Sequence, residues 1–456
     1  MPLRPIPAAA LVLALAFAAG ADAPARGAPA AAPRGLDRLQ HLVVIYLENR
    51  SFDNLYGEFA GADGLANAGA AATQVDSAGA PYATLPPVPA ENGRGLDPHF
   101  PATLPNRPFC ISDYLPPDQP TRDLVHRFYQ EQVQIDGGRM DRFACVSTAR
   151  ALSMGFYHTR DLPLAKVARE YTLCDRFFHA AFGGSWLNHI WLVAAATPRW
   201  PNPPAGAFAR LDSTGHLLHD GAVTPDSFVV NNVVPTSMPH PAHPNPNIQP
   251  PEFDLPTIGD RLSAKGVSWA WYSGGWSDAL AGHPDRLFEF HHQPFAYFAN
   301  YADSTPGRRA HLADESEFLP AVKAGTLPAV AFLKPIGALN EHPGYTDVLS
   351  GERHVIELLR ALEAGPLWRS TAVIITYDEN GGLWDHVAPP AGDRWGPGTR
   401  VPAIVVAPFA KRHFVDHTTY DTTSILALIE HRWGLEPLGP RDAAAADLTQ
   451  AFDLGR

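Results

Sequence analysis

The chain reads as an α/β fold, a largely parallel central sheet flanked by helices and carrying loop insertions. Three observations predict it. The runs His41–Leu47, Ala329–Leu333 and Ala372–Thr376 are apolar and β-branched without alternation, as strands buried on both faces are. Stretches of helical composition at 353–364 and 422–433 alternate with such runs rather than clustering apart from them. Two of the runs pass straight into carboxylates, Glu48 and Asp378, and the carboxyl ends of strands are where open α/β sheets hold ligands.

In chain order, residues 1–20 read as a signal peptide. Met1–Pro7 carries Arg4, Ala8–Ala19 is an apolar run of about a dozen residues, too short to span a bilayer, and Ala18-Ala19-Gly20 suits cleavage. No twin arginine precedes it, so general secretion to the periplasm or the medium is expected. Residues 21–37 form a flexible Ala/Pro-rich segment. A chain of 456 residues is long enough for two cores. The candidate site residues nevertheless run from 48 to 386 with no linker between them, so 38–456 is read as one catalytic domain.

Residues 60–120, rich in Gly, Ala and Pro, are expected as a lid or cap, and 231–256, rich in proline, as an extended surface loop. Further strands are expected at 171–178, 268–272 and 401–406. The net charge of −12 disfavours nucleic acid and anionic membranes as partners. Past the leader no apolar stretch is long enough for stable membrane insertion. Of the three cysteines, Cys110 and Cys145 are the pair expected if an exported chain forms one disulfide, and none has metal-ligand spacing.

The chemistry concentrates in three segments. Glu48-Asn49-Arg50-Ser51-Phe52-Asp53 follows the first strand, and Tyr377-Asp378-Glu379-Asn380-Gly381-Gly382 follows a later one. If the two strands are neighbours, Glu48, Asn49, Asp378 and Glu379 converge as an all-oxygen ligand set for one divalent cation, which would also relieve their mutual repulsion. Gly183-Gly184-Ser185 opens a helical stretch. There Ser185 is either a helix cap or a nucleophile whose hydroxyl a cation activates.

These segments resemble a bacterial phosphoesterase family that includes phosphatidylcholine-type phospholipases C and periplasmic acid phosphatases, within the alkaline-phosphatase-like superfamily. The likeness includes Glu-Asn-Arg-Ser-Phe-Asp at 48–53, Gly-Gly-Ser-x-x-Asn-His at 183–189 and Tyr-Asp-Glu-Asn-Gly-Gly-x-x-Asp-His-Val-x-Pro-Pro at 377–390. Segments 123–126, 138–141, 291–295 and 340–344 also look like family positions, so the resemblance runs from about 38 to about 435. Where many relatives carry Pro before the Asn, Leu187 stands here.

The resemblance implies a metal held by Glu48, Asn49, Ser185, Asp378 and Glu379, with Ser185 forming a phospho-enzyme. His126, His292, His342 and His386 would serve catalysis, and Asn188, His291 and Asp385 would contact substrate or orient a histidine. Of the adjacent His291 and His292, extended backbone would turn only one toward substrate, taken as His292. Few residues follow Trp433, whereas phospholipid-cleaving relatives carry further domains. A small phosphate monoester is therefore the expected substrate and an acid phosphatase the expected activity. Phospholipase C-type diester cleavage of a phospholipid is the alternative, and an exported, non-catalytic phosphate-ligand-binding protein the second. A sulfatase would need Cys or Ser in a short Pro-Arg context, which is absent.

Overall fold

The computed structural model describes residues 35–455. The expected signal peptide, and all but the end of the flexible segment, lie outside the described residues. Eight strands make the central sheet: β1 (His41–Leu47), β2 (Thr172–Cys174), β3 (Trp269–Ser273), β4 (Leu312–Asp314), β5 (Val330–Lys334), β6 (Thr371–Tyr377), β7 (Ala403–Val406) and β8 (Phe414–Asp416). Their order is β4-β3-β5-β1-β6-β7-β2-β8. Every neighbouring pair is parallel except the two that β7 makes, with β6 and with β2. The sheet is thus largely parallel, with one reversed strand that its apolar composition did not distinguish.

The longest strands, β1 and β6, sit side by side at the centre. Leu42–Leu47 and all of β6 are buried, as unbroken apolar runs require. Both faces are covered by helices. Those of eight residues or more are, in chain order, α1 (Phe128–Ile135), α2 (Pro163–Glu170), α3 (Ser185–Ala194), α4 (Ile258–Lys265), α5 (Val348–Ala364) and α6 (Thr423–Trp433).

The in-register pairing of Tyr46 with Thr376 and Leu47 with Tyr377 sends Tyr46 and Tyr377 to opposite faces. The Tyr46 hydroxyl donates to the Asn188 carbonyl on α3, and α3, α4 and α6 pack together on that side. Tyr377 lies on the side of α5, which packs against α2. Helix α5 begins five residues before its expected start because the Asp347 carboxylate caps it, accepting from Ser350 N. Gly351 hides that first turn in the sequence. It is required because any Cβ there would meet the Glu341 side chain at 2.3 Å.

Residues 231–256 form an irregular loop whose one helical turn is Pro246–Ile248. Residues 60–120 are also mostly irregular, with one two-residue strand pair (Thr84–Leu85 with Leu104–Pro105), yet Leu85, Val88 and Leu104 are buried. The segment is therefore part of the packed body.

Ile375, at 1% exposure in the central strand, has packed neighbours on all sides. Ile375→Ala is expected to destabilise the protein by about 2–5 kcal/mol, read as a lowered denaturant midpoint at unchanged slope.

Candidate active site

Leu47 opposite Tyr377 means that β1 and β6 release the chain at adjacent points, so Glu48-Asn49 emerges beside Asp378-Glu379. The Asn49 N–H donates to Asp378 Oδ1 at 3.0 Å, and the Arg50 N–H to the Glu379 carbonyl at 3.1 Å. Asn49 holds φ 62°, a left-handed conformation that asparagine tolerates better than most residues. Gly381, at φ 65°, passes so close that a Cβ would stand 2.5 Å from the Asn49 carbonyl oxygen. Only glycine permits that approach.

Ser185 is the first residue of α3, but Gly184 is the cap and the serine hydroxyl makes no capping bond. It donates instead to Asn49 Oδ1 at 3.2 Å. The acidic tips near 48 and 378 and the hydroxyl at 185 therefore meet. The Asn49 amide spends its other atom on two imidazoles, His126 Nε2 at 3.3 Å and His342 Nε2 at 3.0 Å. The Nδ1 of each ring sits against a backbone carbonyl, of Leu124 and of Pro343. This fixes the tautomer and leaves Nε2 as the basic nitrogen at the centre of the site.

The turn ahead of Ser185 is held by a second, fully buried assembly. Glu131, on α1, accepts from the Gly183 N–H at 2.5 Å and from both the N–H and hydroxyl of Thr399, and pairs with His179 Nε2 at 2.9 Å. Burial opposes the charged form of each. The partner's charge nevertheless holds the Glu131 carboxyl below its ordinary value and raises His179 above its own. Asn188 completes the clamp, donating to the carbonyls of Ala181, Gly183 and Gly184.

Electrostatics divide the four acidic and amide ligands unequally. Burial would raise the Glu48 carboxyl, but Lys334 Nζ at 3.0 Å and the histidines His292 and His291 hold it well below the usual range. Lys334 also lowers Asp378 without overcoming its burial, and Glu379 has only His126 Nε2 at 3.9 Å. Burial raises both, aided by Glu48 for Asp378 and by Asp378 for Glu379. Asp378 Oδ2 and Glu379 Oε1 are also buried with no hydrogen-bond partner. Two orphaned carboxylate oxygens beside Asn49 Oδ1 and Ser185 Oγ fit a hard or borderline divalent cation, with Glu48 next to them but already compensated.

The cavity above this floor measures about 210 Å³ and is lined by Ser185, His126, His291, His342, Tyr345 and Glu289, among others. Three expectations change here. His292 does not face the cavity. The pair lies in a short 3₁₀ turn, Phe290–His292, not on extended backbone. His292 is buried against Glu48 at 2.5 Å, and His291 lines the cavity. Asn188 holds the serine turn rather than contacting substrate.

Asp385 and His386 belong to a separate network around Arg400. That guanidinium donates to Asp385 Oδ1 at 2.8 Å and to Asp53, while His386 pairs with Asp53 at 2.6 Å. Asp53, in the short helix Phe52–Tyr56, is thereby locked to the 385–386 turn.

Lys334, Tyr345, Glu131 and Arg50 escaped the sequence reading. The Arg50 guanidinium donates twice to the Glu341 carbonyl, placing the neighbouring His342, and Tyr345 donates to Glu48 at 3.1 Å. Lys334 had a usable signal, since it ends strand β5 at the same rim as Glu48.

A hydroxyl at a helix start, facing paired carboxylates and a ring of imidazoles on the carboxyl edge of a parallel sheet, defines a hydrolase of phosphoric esters. The sequence profile of the Phosphoesterase family matches residues 39–436, and the chain belongs to that family. It is 28% identical to Phospholipase C B of Mycobacterium tuberculosis over 92% of this chain and 79% of the relative. With Non-hemolytic phospholipase C of Pseudomonas aeruginosa the identity is 26%, over 92% of this chain and 58% of the relative. Among solved structures, a protein in the alkaline phosphatase superfamily from Vibrio parahaemolyticus aligns over 83% of this chain and 77% of its own, at 10% identity and TM-score 0.34.

Glu131→Gln should lower kcat while leaving KM within about threefold, because one buried donor at the serine turn loses its acceptor, a cost of about 1–3 kcal/mol. The same variant tests linkage. A depressed carboxyl contributes stability that is lost as pH falls, and a raised imidazole contributes stability that is lost as pH rises. The wild-type advantage in melting temperature over Glu131→Gln should therefore peak between the ordinary glutamate and imidazole values and shrink on both sides. Arg400→Met, which leaves Asp53 and Asp385 buried without their cation, should cost about 3–5 kcal/mol in denaturant unfolding.

Proposed function

We propose that the protein is an exported, metal-dependent phosphoesterase that hydrolyses phosphate monoesters through a phosphoserine at Ser185. The observation that carries this reading is the Ser185 hydroxyl, freed from helix capping and aimed at Asn49 Oδ1 beside two orphaned carboxylate oxygens. A bound divalent cation would neutralise phosphoryl charge and favour the serine alkoxide. Asn49, Asp378, Glu379 and Ser185 would hold it, with Glu48 alongside.

The chain's own groups then divide the work. Ser185 Oγ, its proton released to solvent, attacks phosphorus as the ester oxygen leaves. His126 and His342 present Nε2 to the site, where the rings face the phosphoryl group. His291, on the cavity wall, protonates the departing alkoxide. Water releases phosphate from the serine. Lys334 and His292 keep Glu48 ionised from behind and do not touch substrate.

The small cavity supports a phosphoryl group with a compact leaving alcohol. A second reading, cleavage of phosphodiesters in the manner of phospholipase C, is supported by the names of the relatives themselves. Residues 1–20 support export, and among the described residues no helix is long and apolar enough to cross a membrane.

Turnover of p-nitrophenyl phosphate against p-nitrophenyl phosphorylcholine, with and without chelator, separates the readings. The expected result is faster hydrolysis of the monoester, loss of turnover on chelation and recovery with a divalent cation. Faster hydrolysis of the choline diester would establish the second reading, and no turnover of either would leave a binding protein. Ser185→Ala should reduce kcat by about a thousandfold or more at unchanged melting temperature. A residual rate of several per cent would place the nucleophile elsewhere.

A further inference from the structure

The cluster of Cys110, Asp113, His158 and Glu58 lies outside the active site and serves none of its chemistry. Its geometry is built by the backbone. The two-residue strand Phe109–Cys110 pairs in parallel with Gly155–Phe156, which sets Cys110 opposite Phe156 and brings His158 alongside. One 3₁₀ turn, Ile111–Asp113, then carries the chain from Cys110 to Asp113. Cys110 precedes that turn on extended backbone, and the turn brings the Asp113 carboxylate back beside the thiol.

One ligand atom each from Cys110, Asp113 and His158 lies within 4.8 Å of the other two, and His158 Nε2 is 3.9 Å from Asp113 Oδ1. On a zinc tetrahedron, with bonds of about 2.0–2.3 Å, neighbouring ligand atoms stand about 3.3–3.8 Å apart. The exposed Asp113 side chain can close the remaining gap by rotation.

Two independent observations point the group at a metal. Cys110 is 5% exposed and forms no disulfide, so its sulfur is buried without a covalent partner. The second ring nitrogen of His158, Nδ1, is held by the Glu58 carboxylate at 3.0 Å. A carboxylate behind the distal nitrogen is how a histidine ligand is oriented and made more basic toward a cation.

We propose that Cys110, Asp113 and His158 form a second metal site, one that selects Zn²⁺, with Glu58 positioning the histidine and water completing the coordination. The thiolate makes the site softer than the all-oxygen floor around Asp378, so the two sites take different cations. On binding, the Cys110 thiol releases its proton to solvent and sulfur donates to the metal. The site ties the end of the 60–120 insertion to the segment at 155–158, a structural clip rather than a catalytic centre.

The test uses the full chain, stripped with chelator and titrated with Co²⁺. A thiolate-to-cobalt charge-transfer absorption in the near ultraviolet can arise only from a sulfur ligand, and the active site offers none. The expected result is one such band, saturating at one equivalent, displaced by Zn²⁺, retained in Ser185→Ala and Cys145→Ser, and lost in Cys110→Ser and His158→Ala. Glu58→Gln should weaken Co²⁺ binding about tenfold while keeping the band. Zn²⁺ should raise the melting temperature of the wild type more than that of His158→Ala, whose metal-free melting temperature and circular dichroism should match the wild type. The proposal is overturned by the absence of a band, by a band that survives Cys110→Ser or His158→Ala, or by one that disappears with Cys145→Ser. None of these readouts depends on phosphoester turnover, so the result stands apart from the reading of the active site.

Discussion

The register of one strand pair governs this molecule. Because β1 and β6 are parallel and start level, with His41 opposite Thr371, they also end level. Two acidic tips from opposite ends of the chain are delivered to one point. A slip of one residue would turn Asn49 away from Asp378 and send the strands' side chains to the wrong faces. The alternation that puts Tyr46 on one helical layer and Tyr377 on the other is therefore the same constraint that assembles the site.

That assembly creates an electrostatic problem, and the structure answers it in three ways. Glu48 is compensated from within by Lys334, with His292 hydrogen-bonded to it. Asp53 and Asp385 share the Arg400 guanidinium. Asp378 and Glu379 stay raised by burial, with one unbonded oxygen each, although Lys334 eases Asp378. In a protein interior an unpaired charge is far costlier than a paired one. The contrast between the compensated carboxylates and the raised pair marks where an exchangeable ion belongs, more sharply than the motif itself does.

Much of this was legible in the residues. The strands at 41–47, 268–272, 329–333 and 372–376 lie within one residue of their expected limits, because β-branched apolar runs bounded by polar turns leave little choice of period. The meeting of Glu48, Asn49, Asp378 and Glu379 followed from strand-end logic, and the place of Ser185 among them from the family resemblance. What escaped it depended on three-dimensional packing. The reversed direction of β7 has no local signature, since its composition is that of a buried strand in either orientation. Which of His291 and His292 faces the cavity turned on a 3₁₀ turn in place of extended backbone. The Cys110 cluster was invisible to spacing because its histidine comes from a segment 48 positions further along and arrives through strand pairing.

The contact from Asn49 to Asp378 bridges 329 positions in the chain. Closing so wide a loop forfeits more entropy than any local pairing, and the loss is recovered only when the whole sheet condenses. Hence no nascent fragment, however far grown, holds a working centre until the ribosome has passed the second acidic tip. The two acidic tips can meet only after more than four-fifths of the chain has been made.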